Sequence, residues 1–237
     1  MKSFRIGLMV MAAMLGGIGL AQAQTINVGR GIPTSGRAIF QTTVFLAVAK
    51  DAGLQFDFQD MITADWIPSL VGKKIDIIAA GFTPTPEREL LFDFSQSYGS
   101  YRDVAILPIG DMRSYKAIVD FKGLTVAATR GTLYVDKLKT AGANVIEMDT
   151  EVAAVNEVEA GRAAAAITTS PNVSFYAPSH PNLKFVDSYT PMNVSSAAFA
   201  VQKGNTVLLA KLNASLTKLK ADGTVAKLAK DFGFSYP

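Results

Sequence analysis

The residues best suited to chemistry follow a single apolar run. Gly81-Phe82-Thr83-Pro84-Thr85-Pro86-Glu87-Arg88 opens with small and hydroxyl-bearing residues and closes on a base. Thr85 suits a helix N-cap, Pro86 the first helical position and Glu87 the first turn. Arg88 then falls at the third helical position, where the helix dipole disfavours a cation. A guanidinium beside free helix N–H groups makes an anion site, and its planar fork matches a carboxylate through two hydrogen bonds. The competing reading is a surface arginine paired with Glu87, Glu89 or Asp93, because helix faces carry many such pairs. Spacing alone leaves both open. Thr132, after Thr129-Arg130-Gly131, can cap a second helix and leave its N–H groups free for an anion, or act as a structural cap only.

The rest of the inventory excludes more than it offers. The 237-residue chain has no Cys and one His, which removes zinc sites and the usual Cys-His or Ser-His nucleophile pairs. No metal, cofactor or catalytic residue is expected, and His180 reads as a solvated loop residue. The net charge is +3, but no basic run exceeds two residues, so nucleic acid is not an expected partner.

Met1 to Ala23 reads as a secretory signal peptide. Lys2 and Arg5 form its positive start, Ile6 to Leu20 carries no charge, and Ala21-Gln22-Ala23 offers a small-x-small cleavage site. The apolar run is short for a membrane span, which takes about 20 residues. No Cys follows for lipid attachment. Cleavage after Ala23 would release a protein into the periplasm, where its core, without disulfides, must hold the fold.

The elements that would position these residues alternate short strands with amphipathic helices, an α/β pattern. Strands are expected at Ile26–Gly29, Leu54–Phe58 and Ile75–Ala80, the last one continuously apolar as if buried on both faces. Helices are expected at Phe40–Ala52, ended by Gly53, and at Trp66–Val71. A second unit repeats the grammar: strands at Leu124–Ala128, Val145–Met148 and Ala163–Thr168, with helices from Thr132 and over Glu151–Ala160. Asn205–Phe232 reads as two helices broken at Asp222-Gly223 that cover a sheet. In such layers ligands sit beyond the carboxyl ends of the strands, which points to the residues after Ala80, Ala128 and Thr168.

Ile75 through Arg88, with Phe92-Asp93-Phe94-Ser95, resembles the bacterial extracellular solute-binding proteins of family 3, which serve polar amino-acid ABC importers. Trp66-Ile67-Pro68-Ser69-Leu70, Gly72-Lys73-Lys74, Phe121-Lys122-Gly123, Thr129-Arg130-Gly131-Thr132, Glu159-Ala160-Gly161-Arg162 and Asp222-Gly223-Thr224 extend the resemblance, in order, over nearly all of the chain after the signal. It implies a two-lobed, type II periplasmic-binding fold, each lobe a mixed sheet flanked by helices, closing on ligand by a hinge. Residues 24–108 and 197–237 would form one lobe and 109–196 the other, with crossings near Ile106–Gly110 and Ala197–Gln202. It also implies that Arg88 grips a ligand α-carboxylate, that Gly81 and Thr83 offer carbonyl and hydroxyl groups, and that Thr132 adds N–H donors. Phe82, Thr129 and Leu133 are expected on the same walls, and Trp66 either stacks on the ligand or packs in the core. The partners implied are a small carboxylate-bearing solute and an ABC permease in the inner membrane, with the protein a monomer.

Two departures concern the other end of the ligand. Where such proteins place an Asp for the ligand ammonium, this chain has Thr169, which cannot neutralise a buried charge. Near the first strand it has Arg30 where an acid is common, and Ser35 to Phe40 lacks the usual Gly-Phe-Asp. The expectation is a ligand more anionic than an ordinary amino acid, unless Arg30 points to solvent and carbonyls meet the amine. Transport and sensing both need only binding and closure. A cyclohexadienyl-dehydratase-type enzyme would need a general acid, which these strand ends do not offer.

Overall fold

A computed structural model describes residues 25–186, 195–232 and 234. The expected signal peptide and its cleavage site lie outside the described residues.

Two mixed sheets organise the chain. In the first, β1 (Ile26–Gly31), β2 (Phe56–Met61) and β3 (Ile77–Phe82) run parallel with β1 in the middle. β3 is buried along its whole length because Ile77 and Ala79 pack on one face of the sheet and Ile78, Ala80 and Phe82 on the other. β4 (Phe92–Phe94) and β5 (Gly99–Tyr101) both pair antiparallel with the long strand Ser195–Gln202, which also pairs antiparallel with β3. The second sheet holds β6 (Asp103–Pro108), β7 (Thr125–Thr129), β8 (Asn144–Met148), β9 (Ala165–Thr169) and β10 (Leu183–Val186), in the order β10-β6-β9-β7-β8. The strand Ser195–Gln202 is β11. β7, β8 and β9 are parallel, whereas β6 runs against β9.

Helices cover each sheet. α1 (Gly36–Ala52) starts four residues before the expected Phe40, because the Ser35 side chain accepts from Ala38 N–H and fixes the start. Gly53, at φ 62°, ends it with its N–H on the Ala49 and Lys50 carbonyls. Phe40, Val44, Phe45 and Val48 on its buried face meet Val28, Phe199, Leu212 and Leu216 in the main core. α2 (Thr63–Val71) packs the opposite face of that sheet through Trp66 and Leu70, and α3 (Pro86–Glu89) is a single turn. α4 (Leu133–Thr140), α5 (Glu151–Glu159) and α6 (Ser170–Tyr176) flank the second sheet. α7 (Thr206–Ala221) and α8 (Thr224–Asp231) break at Asp222-Gly223 as the sequence indicates and return to the first core.

The crossings differ from the expectation. β5 belongs to the first sheet and β6 to the second, so the chain passes between lobes at Arg102, earlier than Ile106–Gly110. Val104–Leu107 is the buried centre of a strand, and the Gly110 turn lies beyond it. All of β11 belongs to the first sheet, so no crossing falls within Ala197–Gln202. His180 lies in a loop as expected but is only partly solvated: its ring lies against the Tyr176 carbonyl at 2.9 Å.

Candidate functional site

β3 delivers its last residues to the crevice between the two sheets. Gly81 has a positive φ of 59°, a conformation that favours glycine, and a Cβ there would lie 1.9 Å from the Gln41 amide nitrogen and displace that side chain. Tyr101 ties the strand end down: its hydroxyl lies 2.9 Å from Thr83 Oγ1 and donates to the Gly81 carbonyl at 3.4 Å.

Arg88 is held from three sides. Its backbone N–H donates to Thr85 Oγ1 (3.3 Å), as the cap signature indicates. Its Nη1 donates to the Thr83 carbonyl (2.9 Å), and its guanidinium lies 3.8 Å from the centre of the Phe82 ring. No carboxylate lies within ion-pair range of it among the described residues, and Asp93 is bound to Lys203 instead (2.9 Å). The surface-pair reading therefore fails. Burial lowers the Arg88 pKa to about 10, with Tyr101, Asp136 and Glu87 opposing the shift. The group stays charged at neutral pH, partly dehydrated and free of a counter-ion.

The facing wall comes from the second lobe. Gly131, Thr132, Leu133, Tyr134 and Lys137 oppose Gly81, Phe82, Thr83 and Arg88 across a cavity of about 40 Å³. Arg37, Thr63, Trp66, Tyr101, Asp103 and Ser195 complete it. Thr132 occupies the N-cap position of α4 but turns its hydroxyl to the Thr129 carbonyl (2.6 Å), so no side chain caps the first turn. An adjoining cavity of similar size shares Arg37, Thr63 and Trp66 and extends to Gln41, Thr129 and Glu151. Gln41 Nε2, Trp66 Nε1, Thr129 Oγ1 and Glu151 Oε1 are all buried there without a hydrogen-bond partner. Volumes of this size hold about a water molecule each, so the lobes must part to admit a solute.

A buried polar network joins the lobes beside these cavities. Arg37 N–H donates to Asn172 Oδ1 (2.9 Å), and its Nη2 lies 3.6 Å from Glu151 Oε1, an ion pair longer than a hydrogen bond. Asn172 Nδ2 donates to Glu151 Oε2 at 2.6 Å and to Thr168 Oγ1 at 3.1 Å.

Arg88, Thr83, Gly81, Phe82, Thr132, Leu133 and Trp66 thus share one cavity, and Thr129 lines its neighbour. Trp66 also packs in the core, edge-on to Phe82 with ring centres 6.3 Å apart. Two candidates stand elsewhere. Arg30 is on neither wall: it lies directly across the parallel ladder from Asp60, binds it at 2.6 Å and stacks over Phe58 at 4.1 Å. Thr169 is fully buried behind the wall, within 3.4 Å of Asn172 Nδ2. Sequence reasoning passed over Arg37, Gln41, Tyr101, Asp103, Tyr134, Lys137 and Glu151. The strand ends it weighed offer no acid, but Asp103 from the start of β6 and Glu151 from the start of α5 bring two acids to the cavities. An acid heading the apolar run Val104–Leu107 was the available signal.

Residues 40–235 match the family of bacterial extracellular solute-binding proteins, family 3. The chain belongs to that family. Among relatives of this family 3 solute-binding protein is a probable amino-acid ABC transporter-binding protein of Haemophilus influenzae, 29% identical over 196 residues, covering 82% of this chain and 76% of the relative. The arginine-binding extracellular protein ArtP of Bacillus subtilis is 28% identical over 196 residues, covering 81% and 76%. An ancestral arginine-binding protein bound to glutamine superposes with a TM-score of 0.80 at 29% identity, covering 88% of this chain and 97% of that one. The type II periplasmic-binding fold, two mixed sheets each flanked by helices, is the architecture of this family member.

Proposed function

We propose that this family 3 protein is an extracytoplasmic receptor of an ABC import system that closes its two lobes on a small carboxylate-bearing solute, an amino acid or a related organic acid. The observation that carries the reading is Arg88: a half-buried, charged guanidinium without a counter-ion at a cavity wall. Such a group is costly to bury alone and is offset by a carboxylate that reaches it in bidentate fashion. Gly81, Thr83 and Thr132 then supply carbonyl, hydroxyl and N–H groups around the same anion. Trp66, Phe82 and Leu133 contribute apolar walls, and the adjoining cavity at Gln41, Thr129 and Glu151 takes the polar remainder of the solute. The partner is a permease in the inner membrane, reached after cleavage following Ala23, and the receptor acts as a monomer.

The relatives are named as binding proteins, so binding without turnover is the proposal, and no product from prephenate or arogenate is expected. A thermal-shift screen over amino acids and small carboxylates tests the reading. A solute at 100 times its dissociation constant adds about 2.7 kcal/mol of stability. If no compound in either class moves the transition, the receptor reading fails.

A further inference from the structure

We infer that the lobes share a fixed joint, Gly36 and Arg37 of α1 against Pro171 and Asn172 of α6, that persists without solute, so that the cleft opens on its Gly131 side alone. The inference holds whatever solute the cleft takes. Asn172 is fully buried and uses both ends of its amide. Its Oδ1 accepts the Arg37 N–H of the first lobe (2.9 Å), while its Nδ2 donates to Glu151 Oε2 (2.6 Å) and Thr168 Oγ1 (3.1 Å) in the second. Turning the amide over would set its NH2 group against the Arg37 N–H, so the orientation is fixed. The Arg37 N–H is one of the first-turn donors that a helix cannot satisfy by itself. Ser35 takes the N–H of Ala38, and the other lobe takes this one. Parting the lobes here would uncap α1. Backbone also meets backbone at this point: a Cβ on Gly36 would lie 2.9 Å from the Pro171 carbonyl oxygen. The Tyr176 hydroxyl donates to the Thr34 carbonyl at 3.4 Å beside it.

The joint adjoins the crossing. Ser170, the first residue of α6, donates its N–H to the Arg102 carbonyl (2.7 Å) and accepts the Arg102 N–H at Oγ (3.2 Å). The chain passes between the lobes at Arg102. Asn172 therefore sits two residues from a point bonded to the hinge, where a rotation displaces atoms least. The Gly131 side is built differently. Gly131 touches the Thr63–Ala64 backbone, but no hydrogen bond among the described residues joins them. A groove of about 500 Å³, lined by Glu87, Arg88, Thr132 and Asp136, opens beside that contact. The Arg37 side chain faces the cavities, so opening on the Gly131 side lets water reach its guanidinium while its N–H stays bound. A solute then closes a cleft already joined along one side, which lessens the ordering that its binding must produce.

The chain has no Cys, so two introduced cysteines carry spin labels at known positions on the ligand-free protein. Thr34→Cys with Ser174→Cys places labels on either side of the joint, and Leu90→Cys with Thr140→Cys on either side of the Gly131 opening; all four residues are exposed. Electron paramagnetic resonance should give one narrow distance for the joint pair and a broader, longer distribution for the other. Any other pattern, two equally broad distributions or two narrow distances included, overturns one-sided opening. Gly36→Ala favours the helix but sets a Cβ against Pro171, so in the joint-pair protein it should broaden that distance; an unchanged distance contradicts the contact. Hydrogen exchange on unlabelled, ligand-free wild-type protein decides the matter even if a variant does not fold. The Arg37 amide should exchange on the order of 100-fold or more slowly than in an unstructured chain. A smaller slowing means that its bond to Asn172 breaks whenever the lobes part, and the joint fails.

Discussion

Gly131 offers a test of lobe closure in which backbone strain and interlobe contact can be separated. Its φ is +79°, and a Cβ there would lie 2.9 Å from Ala64 Cα, 3.0 Å from Ala64 N and 3.2 Å from the Thr63 carbonyl carbon. Those atoms are backbone at the start of α2, in the opposite lobe, so no side-chain rotation relieves them. Gly131→Ala carries two costs. Holding alanine in the left-handed region costs about 1–2 kcal/mol of folding stability. Restoring ordinary contacts of about 3.5 Å requires the lobes to part by several tenths of an ångström, and overpacking of that kind costs about 1–3 kcal/mol. The second cost falls on the closed form alone, and an affinity that depends on closure should drop on the order of 5- to 150-fold. Gly161→Ala is the control: its φ is +71°, and nothing lies within 4 Å of its added Cβ. Both variants should melt lower than wild type by similar amounts. Only Gly131→Ala should lose affinity in calorimetry and show less compaction by solution scattering with the solute from the screen. Equal affinity and compaction in the two variants would refute the view that the Gly131–Ala64 contact belongs to the binding-competent form.

Three further outcomes follow from the same geometry. Glu151→Ala leaves Arg37 buried without its carboxylate and takes one acceptor from Asn172; it should cost about 3 kcal/mol in denaturant unfolding, at the lower end for a broken buried pair because parted lobes let water reach Arg37. Thr85→Ala removes the acceptor for Arg88 N–H, so about 1 kcal/mol of stability should be lost together with some solute affinity, measured by denaturant titration and calorimetry. Asp103 has its folded-state pKa raised by burial, so it favours folding when protonated and that contribution is lost as pH rises through the raised value. Ligand-free wild-type protein should therefore be less stable than Asp103→Asn at neutral pH, and the gap should close as pH falls toward the ordinary aspartate value of 3.8; unfolding curves across that window that show a widening gap contradict the assignment.

What the sequence disclosed was local. The Thr85-Pro86 start of α3 and the Asp222-Gly223 break each depend on neighbours a few positions away and are found where they were expected, and the buried strand expected at Ile75–Ala80 is found two residues on, at Ile77–Phe82. Failures came where a side chain answers to a distant partner. Arg30 looked like a cleft base because Asp60, thirty residues on, meets it only across a parallel ladder. Arg37 becomes structural through Glu151 and Asn172 of the other lobe. Asp103 escaped notice because the crossing at Arg102 has no turn residue to mark it, and the strand it heads belongs to the second sheet. Thr132 shows the limit of capping logic: the position is right, but its hydroxyl prefers the Thr129 carbonyl.

The receptor reading stands or falls with Arg88 as the anion clamp of an interlobe solute site. The dissociation constant of the best solute from the screen, measured by calorimetry at neutral pH on wild-type protein and Arg88→Ala, tests that role. Removing one partner of a buried, hydrogen-bonded charge pair costs about 2–5 kcal/mol, so affinity should fall on the order of 30-fold to several thousandfold. The variant's ligand-free melting temperature should change little, since a half-buried charge without a counter-ion is removed together with its hydrogen bond to the Thr83 carbonyl and its contact with Phe82. An unchanged dissociation constant in a folded Arg88→Ala protein would contradict the clamp.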